Sequence, residues 1–194
     1  FSNSNVELKI SSANDDAELQ TQQIDSFVKM GVDLLIVAPG QMKVTQAVDR
    51  AYDKGIPVIV FDRRTHSDKY TAYIGADNEE MGRNIAHYLS SSVDGAERIV
   101  EICGLSSSSP AVDRRSGFDQ EVAKHADMDI VEHIEADWTE QTAYRQMDSM
   151  LSVAHPQFNT VFAHNDRMAM GARKAAMKHG LDLSKIHFIG IDAI

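Results

Sequence analysis

With one cysteine in 194 residues, the chain can form no intrachain disulfide. One thiol and scattered histidines also lack the spacing of a zinc site, so neither a metal nor a cofactor is expected. Cys103 ends the apolar pattern Ile99-Val100-Glu101-Ile102-Cys103, where a buried, inert thiol is the expectation. No run of 18 apolar residues marks a membrane span, and no basic-then-apolar segment marks a signal peptide. Positive charge is scarce as well. A formal net charge of −10 argues against a general nucleic-acid or anionic-membrane surface. The familiar catalytic signatures are missing: G-x-G-x-x-G, a Walker glycine loop, G-x-S-x-G and H-E-x-x-H. With 43% hydrophobic and 25% charged residues, the chain has the composition of an ordinary soluble globular protein.

What the chain does have is rhythm. The apolar run Ile56 to Val60, four of its residues β-branched, reads as a strand buried on both faces, with Pro57 near its start. Before it come an expected strand Val6–Ile10, a helix to about Met30 capped by Asn14 or Asp15 and stopped by Gly31, and a two-face-buried strand Asp33–Val37. A helix from about Val44 to Lys54 follows, ended by Gly55. A short strand Tyr70–Ile74 leads to a helix from Asp77 or Asn78 to about Ser90, and 91–97 is a polar connection. The rhythm then restarts. Strands are expected at 99–103, 129–134, 159–163 and 186–190, separated by helices at about 111–125, 140–153 and 166–179. Alternation of this kind predicts α/β architecture with parallel sheets. It falls into two batches, residues 1–76 and 77–194, read as two lobes joined by hinge segments.

Ligands of open parallel sheets sit at the carboxyl ends of the strands, so the residues there are the candidates. Asp62 and Arg63 follow the strand at 56–61: an acceptor and a forked donor, suited to a polyhydroxylated molecule, or else a helix cap and a solvated arginine. Arg114 falls in the first turn of a helix, where a cation opposes the helix dipole, and reads as a binding group or a surface arginine. Trp138 lies in a strand-to-helix loop, either as a stacking platform or as a half-buried core cap. Asn165 offers one acceptor and two donors, Asp166 reads as an N-cap, and Asp192 repeats the theme of a carboxylate after a buried strand. Serial polar groups without a nucleophile favour binding over catalysis, so no catalytic residue is expected.

Taken in order, Gly31-Val32-Asp33-Leu34-Leu35-Ile36, Gly55 to Ile59 with Asp62-Arg63, Gly75-Ala76-Asp77-Asn78, Arg114 with Gly117-Phe118, Ala136-Asp137-Trp138, Phe162 to Ala172 and Ile189 to Ala193 resemble the ribose-binding group of type 1 periplasmic binding proteins. Val37-Ala38-Pro39, 68–75, 101–105 and Gly190-Ile191-Asp192-Ala193 are most similar to the extracytoplasmic sugar-sensor domains of hybrid histidine kinases. The resemblance implies two α/β lobes closing by hinge motion around a monosaccharide, a pentose or a ketohexose. Asp62, Arg63, Arg114, Asn165 and Asp192 would hydrogen-bond its hydroxyls, and Trp138 would stack on the ring where the ribose pattern has phenylalanine.

It also implies a periplasmic location, a membrane reached only through flanking segments, and a homodimer in a signalling context. Ala38 stands where the ribose pattern has Asn, one polar contact fewer, and the 40–44 loop is about one residue shorter. The family's first strand and helix and its final crossover have no counterpart here, so a fragment of a longer protein is expected. Two other functions share the pattern. The effector domain of a LacI-type transcription regulator has this fold and would carry an upstream helix-turn-helix. A sugar-processing enzyme would turn over its bound sugar.

Overall fold

The computed structural model describes residues 5–92, 96–153 and 157–193. It divides into two compact units, Phe1–Gly75 and Ala76–Ile194. Part of the expected 91–97 connection, at 93–95, lies outside the described residues. Among the described residues no helix is long and apolar enough to cross a membrane.

In the first unit, helix α1 (Ala17–Met30) starts at Asp16, whose carboxylate accepts from the backbone N–H groups of Glu18 and Leu19. The cap is thus one or two residues later than expected, because Asn14 and Asp15 take left-handed φ values of 48° and 64° to turn the chain into it. Gly31, at φ 71°, closes the helix as expected. Strands β1 (Leu35–Val37), β2 (Val58–Phe61) and β3 (Ala72–Ile74) pair in parallel in the order β1-β2-β3. Helix α2 (Thr45–Asp53) and α1 bury Leu35, Val37, Val58 and Val60 with Ile24, Val28 and Val48.

Two expectations fail here. The first two strands, β1 and β2, were expected to be buried on both faces, yet burial alternates, and Leu34, Ile36 and Phe61 are exposed because both helices of this unit cover the same face. Residues 6–10 form no strand. Val6, Leu8 and Ile10 alternate as a strand should, but among the described residues nothing pairs with them, and a strand exists only through its ladder.

The second unit is doubly wound. Strands β4 (Glu97–Cys103), β5 (Met128–Glu135), β6 (Thr160–Ala163) and β7 (His187–Ile189) form a parallel sheet in the order β5-β4-β6-β7. Helices α3 (Asn78–Ser92) and α4 (Ser109–Val122) pack with Ile99, Phe118 and Phe162 on one face. Helices α5 (Glu140–Val153) and α6 (Asp166–Lys178) pack with Val100, Ile102, Val161 and Ala163 on the other. Leaving β4, the chain passes first to β5 and then back across to β6, so the ends of β4 and β6 flank a topological switch point. Between Ile99 and Val100 the β4–β5 register slips, leaving Val131 as an extra residue. A bulge reverses the facing of everything after it, which puts His133 and Glu135 on the face of Glu101 and Cys103.

The α3–α4 contact depends on two glycines. A Cβ on Gly117 would sit 1.9 Å from the Glu79 carbonyl oxygen, and one on Gly82 would sit 2.0 Å from that of Arg114. Gly117→Ala therefore forces the two helices apart and is expected to cost about 1–3 kcal/mol in urea unfolding. An alanine variant as stable as the parent would mean that the helices are not held this close.

Candidate ligand-binding site

At the switch point of the second unit three sequence candidates converge. Arg114, on the first turns of α4, donates from Nε to Asn78 Oδ1 at 2.9 Å and from Nη1 to the backbone carbonyl of His164. The guanidinium carbon lies 5.6 Å from the centre of the Trp138 ring, within cation–π range. The side chain of Asn165 caps α6, its Oδ1 accepting from Met168 N–H at 2.8 Å, and its Nδ2 donates to the Trp138 carbonyl at 3.1 Å. Asn165 is therefore the N-cap expected of Asp166, which moves into the first turn, and its acceptor is occupied before any ligand arrives.

Trp138 is held at a conformational cost. Asp137 and Trp138 have φ values of 48° and 66°, and non-glycine residues in this region cost on the order of 1–3 kcal/mol each. Beneath the indole lies Gly104; a Cβ there would come within 2.3 Å of the ring. The indole Nε1–H is buried without a partner among the described residues. Asp192, just past β7, is exposed at φ 114°, and the Asp166 N–H donates to the neighbouring Ile191 carbonyl at 2.9 Å.

In the first unit, Asp62 and Arg63 stand at the end of β2. Asp62 has φ 64°, and its carbonyl accepts from the Tyr73 hydroxyl at 2.9 Å. Arg63 donates to the Gly40 carbonyl after β1 and lies 3.4 Å from Asp15 Oδ1. The strand-end acids Asp62, Asp137 and Asp192 all adopt left-handed backbone, which directs the chain sharply at each tip. Residue type alone gives no sign of that.

The polar network behind the indole went unread in the sequence. Glu101, fully buried in β4, receives His164 Nε2 at 2.9 Å and meets His133 Nδ1 at 2.8 Å. Burial opposes its charge, but His133 and then His164 outweigh it and hold the carboxyl below its ordinary range. Burial first, against the pull of Glu101, lowers His164. The neutral ring fits the geometry, since Nδ1 accepts from Gly104 N–H at 3.3 Å while Nε2–H points at the carboxylate. The signal was there: a carboxylate in the middle of an apolar strand run needs a buried partner.

These features match known proteins. The chain fits the periplasmic binding protein domain family over residues 2–194, and it belongs to that family. It is 30% identical to the xylitol-binding protein of Mycolicibacterium smegmatis over 98% of this chain and 54% of that protein. Identity to the ribose import binding protein of Bacillus subtilis is 30% over 92% of this chain and 58% of that protein. Among solved structures, the fructose-binding periplasmic domain of a hybrid two-component system is 45% identical. That likeness has a TM-score of 0.91 and covers 98% of this chain and 63% of that one. The chain spans just over half the length of the curated relatives named.

As the single tryptophan, Trp138 reports on its own site. Gly104→Ala is expected to lift the indole and shift its fluorescence to the red with the fold retained by far-ultraviolet circular dichroism. Unchanged emission in a folded variant would contradict the contact with Gly104.

Proposed function

We propose that the chain is a monosaccharide receptor domain, the extracytoplasmic sensor of a hybrid two-component kinase or a solute-binding component of sugar uptake. The observation that carries this reading is the pairing of Arg114 with Trp138 at the switch point of the second unit. An aromatic face accepts the C–H face of a sugar ring while a guanidinium fork donates to its hydroxyls. Arg114, Trp138 and Asn165 are hydrogen-bonding and stacking groups rather than nucleophiles, which favours release of the sugar unaltered over turnover.

In this proposal Asp192 is a further candidate for the sugar hydroxyls in the second unit, and Asp62 and Arg63 are the candidates that the first unit carries. Ala38, exposed just after β1, offers none, and a pentose or ketohexose is the ligand class. Support for the sensor role is the 45% identity to a fructose-binding domain of a hybrid two-component system; support for the uptake role is the ribose import relative. A periplasmic location follows from either, and in the sensor role the domain pairs with a second copy.

The test is a thermal-shift panel of pentoses, ketohexoses and cyclitols at millimolar concentration. At about 100 times Kd a ligand stabilises by about 2.7 kcal/mol. For a chain of this size that raises Tm by about 5–10 °C. Arg114→Lys keeps the charge but loses the fork, and is expected to weaken binding by about tenfold or more. No shift across the panel would sink the reading.

A further inference from the structure

On the α4 face of the second sheet, three metal-ligating side chains converge. Glu101 and Cys103 lie two residues apart on β4, and the bulge in β5 sets His133 in register with Glu101. One donor atom from each, a carboxylate oxygen, a thiol sulfur and an imidazole nitrogen, all lie within 4.8 Å of one another. A tetrahedral zinc-class ion holds such donors about 3.5 Å apart, a displacement that side-chain rotation covers. We propose that Glu101, Cys103 and His133 form a binding site for a divalent cation of the zinc class.

Three further observations support the site. Glu101 is fully buried, and its Oε2 lies 2.8 Å from His133 Nδ1 with no well-aligned donor among the described residues. Asp119, from α4, has a buried Oδ1 with no partner among the described residues. A buried carboxylate oxygen left without a donor is a group that a cation can satisfy. Finally, a cavity of about 360 Å³ is bordered by Cys103 of the cluster together with Asp119, Glu135 and Arg115.

The donor set selects the ion. Thiolate and imidazole together favour zinc, cobalt or nickel over calcium or magnesium, which take oxygen. Arg115, 3.4 Å from Asp119 Oδ2, is the cation that α4 contributes nearby, and it leaves the surrounding acids in excess. Three protein ligands leave a fourth position open to water, with Asp119 offering a further oxygen on the same face. Motif spacing could not reveal the site, because its ligands come from two strands that meet only in the folded sheet.

The test is titration of the metal-free, reduced protein with cobalt(II) and then zinc(II). One equivalent of cobalt is expected to give tetrahedral d–d absorption and a thiolate-to-cobalt charge-transfer band, both removed by zinc, and zinc is expected to raise Tm. Cys103→Ser should abolish the charge-transfer band. His133→Ala, at a partly exposed position the fold tolerates, should weaken cobalt binding by about tenfold or more. Absence of the band in the parent protein, a Tm lowered by zinc, or unchanged affinity in folded His133→Ala would overturn the proposal. The sugar panel reads different residues, so failure of either reading leaves the other standing.

Discussion

Arg114 carries five N–H donors on a planar fork, and the fold commits at least two of its nitrogens before any ligand arrives. One fixes the start of α3 through Asn78, and the other fixes the end of β6 through the His164 carbonyl. Because α4 supplies the arginine, a single side chain ties together three segments that meet at the switch point. Its guanidinium face is thereby presented to Trp138. A lysine could hold one of these partners as a point charge but could not bridge both in one plane. The rest of the site is arranged around this geometry: Gly104 gives the indole its floor, and Asn165 holds the carbonyl of Trp138.

Beneath the same loop runs a line of polar groups from Gly104 through the buried His164 and Glu101 to the partly exposed His133. Such a line is costly unless each member is satisfied, and here each ring nitrogen of His164 has a partner. The neutral tautomer of His164 is fixed at both ends, so its backbone carbonyl is a steady acceptor for Arg114. The stability of this core and the posture of the site are therefore coupled through one residue. The left-handed backbone at Asp137 and Trp138 adds strain, and the capping and ring contacts around it hold that strain in place.

Much of the second unit was legible in the sequence, since its elements are long and strongly periodic. Helix α5 matches its expected bounds, and β4 to β7 fall within about two residues of theirs. In the first unit the apolar runs marked the strands correctly but not their environment. Periodicity shows that a residue is apolar, whereas burial depends on which helix lies above it, and α1 and α2 share one face. Val6 to Ile10 had the pattern of a strand without a pairing partner among the described residues. At the caps, Asp16 and Asn165 won over near neighbours because capping depends on φ and ψ at the turn, which residue type only biases.

Arg114, Trp138 and Asn165 could be picked out from their places at strand ends, and the structure brings them together. Glu101 and His133 could not, because the bulge at Val131 decides which face His133 takes.

The central claim is that a sugar is gripped by the arginine fork and the indole it faces. Its most direct test is a crystal structure of the protein with a bound monosaccharide. The account predicts the pyranose or furanose ring lying flat on Trp138, with hydroxyl oxygens accepting from the Arg114 guanidinium at ordinary hydrogen-bond distance. A sugar bound elsewhere, with the indole and guanidinium untouched, would contradict it.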